Sequence, residues 1–174
     1  MSLVLAVLSA IALSTPASAA PNRSASVGPD HKTFNWTTDT QTAAITGQFW
    51  WIGNPDGDCG TFDPTGSGAL SAVDYCDETL VDVTEPGVLT ASLPAGDANT
   101  NDWDLYIFKS DDDGHAADTD QIAASSNTGG AEQASAQVDP GKYLVVSVPY
   151  QVVNSATDAT VSWAEPAPAD PDAE

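Results

Sequence analysis

Residues 101–120 read NDWDLYIFKSDDDGHAADTD, and the first half of this stretch decides the fold. From Trp103 to Lys109 the side chains alternate along an extended chain. Trp103, Leu105 and Ile107 share one side; Asp104, Tyr106 and Phe108 share the other. Leu144, Val146 and Val148 likewise form one face of a segment whose other face carries Tyr143 and Val145. Strands that are apolar on both sides belong in the middle of a sheet covered on both faces.

The same reading extends along the chain, where helical periodicity is nearly absent. It predicts strands at Thr42–Trp51, Glu78–Val83, Val88–Leu93, Trp103–Lys109, Gln121–Ser125, Glu132–Val138, Tyr143–Val148 and Ala159–Trp163. Most are short, rich in β-branched or aromatic residues, and bounded by Gly, Pro, Asp or Asn. Pro-Gly turns are marked at Thr84–Gly87 and Asp139–Lys142. About eight short strands at this spacing predict an all-β fold, an antiparallel β-sandwich or barrel. Leu105, Ile107, Leu144, Val146 and Val148 are the expected core.

The ends of the chain differ from this middle. Residues 1–19 read as a signal peptide: an apolar run from Leu3 to Leu13, then Pro16 and the small residues Ala17, Ser18 and Ala19. The run is shorter than the ~20 apolar residues of a spanning helix. The expectation is a secreted, extracellular chain with no membrane association after cleavage. Residues 20–32 are small and polar and read as a flexible mature N-terminus. The β-sandwich is expected over 33–163, and 164–174, rich in Pro, Ala and acid, as a disordered tail. The two cysteines, Cys59 and Cys76, read as one disulfide of an exported protein, pinning the Gly-, Asp- and Pro-rich stretch 53–75.

Twenty-five acidic residues against four basic ones give a formal net charge of −21. That balance excludes nucleic acid as a natural partner, because phosphate recognition needs clustered Lys and Arg. It also disfavours anionic membranes. Aspartates suit calcium, and they equally suit a self-repelling surface in a salty medium.

The candidate sites follow from the same residues. Asp102 and Asp104, at i and i+2 of one strand, face the same way at ~6.5–7 Å. A carboxylate pair of this kind is the raw material of glycoside hydrolysis, yet adjacent acids at a strand entrance more often accept backbone N–H bonds. Asp111, Asp113, Asp118 and Asp120 offer oxygens for an irregular calcium site, although Gly114 and His115 break the EF-hand order. Asn54, Asp56 and Asp58 form a second loose group. Only His31 and His115 are available as imidazole bases, and no G-x-S-x-G or H-E-x-x-H motif occurs. Phe49, Trp50 and Trp51 are consecutive aromatics in a strand, and an exposed Trp50 or Trp51 is a platform for stacking on sugar rings.

Four segments together resemble the bacterial pre-peptidase C-terminal domain family: the turn Thr84–Gly87, the DWDLY strand Asp102–Tyr106, the Gly130–Glu132 approach to a strand, and Pro140–Tyr143 with its alternating valines. The resemblance covers roughly residues 78–163. It implies a small β-sandwich of jelly-roll type on secreted proteins, without catalysis of its own, acting in localisation, adhesion or substrate contact; some members bind calcium. The residues 34–77, which carry both cysteines, lie outside the matched part. The resulting expectation is a monomeric, non-enzymatic extracellular module whose partner is a protein or a polysaccharide. A carbohydrate-binding module using Trp50 or Trp51, a calcium-dependent structural module, and a hydrolase using Asp102 and Asp104 are the competing readings.

Overall fold

The computed structural model describes residues 21–41, 76–116 and 118–166, with only the backbone described at Asp118. The described residues form nine strands in the order β1 (Arg23–Val27), β2 (Thr33–Thr37), β3 (Asp77–Val83), β4 (Gly87–Leu93), β5 (Asn101–Lys109), β6 (Gln121–Ser125), β7 (Glu132–Val138), β8 (Gly141–Val152) and β9 (Asp158–Ala164). A single 3-10 turn, Asp118–Asp120, precedes β6, and the described residues contain no α-helix.

The strands form two sheets. One has five strands in the order β1-β3-β8-β5-β6; the other has four, β2-β9-β4-β7. All pairings are antiparallel except β1 with β3, which run parallel from Arg23↔Thr79 to Val27↔Val83. The inner faces meet in one apolar core that includes Val81, Leu89, Leu105, Ile107, Val145, Val161, Trp103 and Trp163. This is an all-β sandwich, as the alternation predicts.

Three differences from the expectation have physical causes. First, β1 lies inside the segment 20–32 that composition alone marks as a mobile terminus. Its Ala25 and Val27 alternate with Ser24 and Ser26, too short a pattern to stand out, and its pairing partner β3 is about fifty residues away. Second, β2 is a strand that the sequence reading left uncalled; Phe34 and Trp36 turn inward and stack with ring centroids 5.6 Å apart. Third, the expected core residues divide between two clusters. Leu105 and Ile107 lie between the sheets, whereas Leu144, Val146 and Val148 lie on the outer face of the five-stranded sheet with Cys76, Tyr106, Phe108 and Ala116. A β-bulge opposite Asp102 and Trp103 inserts one residue in β8. An extra residue reverses the alternation beyond it. Val148 therefore points outward, while Val152 joins the core between the sheets.

The expected strand Thr42–Trp51, the Trp50 and Trp51 platform, the Asn54–Asp58 group, Cys59, the signal segment and most of the tail lie outside the described residues. Cys76 is buried at the foot of β3. No free cysteine occurs among the described residues.

Candidate functional site

At the head of β5, Asp102, Asp104 and Glu132 are all buried, at 2%, 4% and 1% exposure. They reach one another because β7 begins beside the point where β6 stops, and the connection 126–131 crosses from one sheet to the other there. Asp102 Oδ1 accepts the Gly129 main-chain N–H at 2.8 Å. Glu132 Oε1 accepts the Asn127 N–H at 2.8 Å, and its Oε2 accepts the Asn127 side-chain amide at 3.3 Å. Gly129 has φ +62°, and a Cβ there would meet the Ala98 nitrogen at 2.8 Å, so glycine is required on two counts. These carboxylates thus clip a sheet-to-sheet connection in place, as acids do that satisfy otherwise orphaned main-chain donors.

Asp104 is close enough to both other acids to feel their charge. Burial, then the neighbouring charges of Asp102 and Glu132, push its carboxyl up from 3.8 to about 6, against a weak opposing contribution from the Tyr106 hydroxyl, 3.5 Å from Oδ2. Burial and the charge of Asp104 also hold the Tyr106 phenol well above its usual value. A raised carboxyl can act as an acid, but it needs a substrate-sized space and a partner base. The other two carboxylates here are committed to backbone amides.

A second buried acid, Asp77, sits at the foot of β3 on the inner face. Its carboxylate takes both guanidinium nitrogens of Arg23, one of them Nη2 at 2.9 Å. It also accepts Trp36 Nε1 at 3.1 Å and the Asp39 N–H at 2.9 Å. One side chain therefore joins β1, β2 and β3. Beside it, Ser147 of β8 is fully buried with no hydrogen-bond partner for its hydroxyl. Sequence reasoning passed over Asp77, because its partners lie 38–54 positions away.

The aspartate loop is organised by Asp111. Its Oδ1 accepts the N–H groups of Asp113 and His115, both at 2.9 Å, and these bonds hold its carboxyl below the usual range. Gly114 has φ +93°, and a Cβ there would clash with the Pro21 ring. The expected calcium ligands Asp111, Asp113, Asp118 and Asp120 share this loop. Among the described residues, no group of three or more His, Cys, Asp or Glu side chains is placed to hold a metal ion. His31 and His115 sit at separate exposed or half-buried turns.

The remaining feature is a surface. Along the outer face of the four-stranded sheet, Thr33, Ser162, Thr90 and Ser135 form one cross-strand row. Asn35, Thr160, Ser92 and Gln133 form the next. The side chains bond laterally: Thr90 Oγ1 lies 2.9 Å from Ser135 Oγ, Thr160 Oγ1 donates to Asn35 Oδ1 at 2.8 Å, and Thr37 Oγ1 donates to Asp158 Oδ1 at 2.8 Å. Asp158, at the rim, is the one acid this face carries among the strand residues described. The signal was present in the sequence as polar residues at most second positions of four segments, with Val88 and Ala164 as apolar exceptions.

No protein family matches the chain, and no curated protein does. Among solved structures, it is similar to the pre-peptidase C-terminal domain of a collagenase from Bacillus anthracis. That likeness has 14% identity and a TM-score of 0.37, covering 83% of this chain and 96% of the other. The assignment as a β-sandwich rests on the strand pairing itself.

Proposed function

We propose that this chain is a secreted, non-catalytic contact module of the pre-peptidase C-terminal type, which holds an extracellular partner against an open sheet face. The observation that carries the reading is the use made of the acids in DWDLY. Asp102 is spent on the N–H of Gly129, and Glu132 beside it on the N–H of Asn127, so one member of the Asp102/Asp104 pair serves the fold. The segments on which the family resemblance rests, Asp102–Tyr106 and Gly130–Glu132, meet at this clip, and Thr84–Gly87 closes over Trp163, whose Nε1 donates to the Glu85 carbonyl at 3.0 Å. Rigid strands carrying an exposed polar face suit contact better than chemistry.

The test is a reporter fused to residues 20–174. Retention of the reporter on producing cells or their insoluble extracellular material, with the Asp104→Asn variant retained equally, supports a contact role. A reporter that stays free in the medium, or a hydrolytic activity abolished by Asp104→Asn, overturns it. N-terminal sequencing of the exported chain checks the cleavage expected after Ala19.

A further inference from the structure

The five-stranded sheet is dry on its outer face. Two cross-strand rows run over it, Leu80–Leu144–Phe108 and Glu78–Val146–Tyr106, and Val148 stands opposite Asp104 in the next. Phe108, Leu144, Val146, Val148, Tyr106 and Glu78 are all buried, and Cys76 is buried with them. This burial is reached within one isolated chain, so neither a second copy nor another protein supplies it. The described residues cover one end of the face. There the loop after β5 brings Ala116 into the cluster, and a Cβ on Gly114 would touch both Pro21 and Leu80. Among the described residues, no strand lies over the other end, where Val146, Val148 and Tyr106 are. The dry area stops at β6, whose Ala124, paired with Tyr106, is exposed.

We propose that residues 42–75 of the same chain pack over this face, with Phe49, Trp50 and Trp51 supplying the apolar contact and a Cys59–Cys76 disulfide as the tether; this holds whether or not the chain is a contact module. Three observations select the segment. Its ends are close together, because it leaves after Gln41 and returns at Cys76, and the Asp39 N–H donates to the Asp77 carboxylate at 2.9 Å. Cys76 belongs to the buried cluster and is not a free thiol, and the chain's other cysteine, Cys59, lies within the segment. The composition also fits. An apolar face sheds water only against apolar side chains, and Phe49, Trp50, Trp51 and Ile52 form the richest such run outside the described strands of the mature chain. The tail 167–174 offers only Ala, Pro and acid, and residues 1–19 are expected to be removed. Glu78, buried on the same face, is not without a partner, as a buried carboxylate must not be. One consequence is functional: rings spent on sealing the sheet are not an exposed platform for sugars.

The experiment is carbene footprinting of the oxidised chain 20–174 and of its Trp50→Ala/Trp51→Ala variant, read by mass spectrometry after digestion. In the unaltered chain Tyr106, Val146 and Val148 should label no more than Trp103 and Trp163, which lie between the sheets. In the variant the first three should label at least fivefold more, with Trp103 and Trp163 unchanged. Unchanged protection of Tyr106, Val146 and Val148 in a folded variant overturns the proposal. If Trp103 and Trp163 label as well, the variant has unfolded, and methyl NOEs in the unaltered chain decide. Contacts from Leu144, Val146 and Val148 to the ring protons of residues 49–51 are expected, and their absence sinks the idea. Digestion without reductant should yield a peptide pair joining Cys59 to Cys76; two free thiols rule the tether out. A variant that loses retention on an insoluble polysaccharide while Tyr106 stays protected would make Trp50 and Trp51 an exposed platform, and the proposal would fall.

Discussion

The two sheets of the sandwich bury their outer faces differently. Behind the five-stranded sheet, Leu144, Val146, Val148, Tyr106 and Phe108 are as deeply buried as the core between the sheets. Behind the four-stranded sheet, Thr33, Asn35 and Thr37 of β2 and Gln133, Ser135 and Gln137 of β7 are exposed. One sheet is therefore a central layer with apolar packing on both sides. The other is a true outer layer whose far side faces water. Side-chain chemistry records this directly, since β5 and β8 are apolar at successive positions while β4, β7 and β9 alternate.

The contrast is open to test. The largest effect is expected at Asp77, the anchor of the five-stranded sheet. Asp77→Ala strands the Arg23 guanidinium and the Trp36 N–H in a half-buried site, and should cost about 3–5 kcal/mol in denaturant unfolding. A loss below 1 kcal/mol would mean that β1 is not held by this residue. Next comes Leu144→Ala. Although it lies on an outer face, it should cost about 2–5 kcal/mol, the range for a fully buried leucine. A cost near zero would show that this face is not sealed.

Asp104 tests the carboxylate clip with a change of sign. Its folded value of about 6 lies above the ordinary 3.8, so the folded chain holds a proton there that the unfolded chain releases. Its contribution to stability is complete below 3.8 and is lost as pH rises through about 6. The difference corresponds to an upper limit on the order of 3 kcal/mol. Asp104→Asn should accordingly raise the unfolding midpoint above pH 7 and flatten the slope of stability between pH 4 and 7; an unchanged slope sinks the assignment. The smallest effect belongs to the open face. Thr160→Val should move stability by no more than ~0.5 kcal/mol, as expected for a surface site. A larger loss would mean that the hydroxyl lattice is part of the fold and not of a contact surface.

Much of this contrast was legible in the chain. The faces of β5 and β8, the turns at Thr84–Gly87 and Asp139–Lys142, and the sandwich class follow from alternation, which is local. The structural use of Asp102 was anticipated from its place at a strand entrance, but its partner Gly129 was not, because a main-chain donor 27 residues away leaves no mark on composition. The aspartate loop was legible in part: Asp111 turns out to cap its own loop through Asp113 and His115, a bond pattern spanning four residues.

The sequence by itself determined an all-β chain with two strands apolar on both sides, a strongly acidic composition, and alternation of polar with apolar side chains along most of the outer strands. Periodicity and composition carry those facts because each depends on residues a few positions apart. Only the tertiary structure decided that β1 adds in parallel to β3, that one bulge sends Val148 and Val152 to opposite faces, and that Asp102, Asp104 and Glu132 share one buried site. It alone brought four separate segments into register as a single polar face with one acid, Asp158, at its rim. Each of these outcomes depends on which strands become neighbours, a choice made by long-range packing and invisible to any local window of the chain.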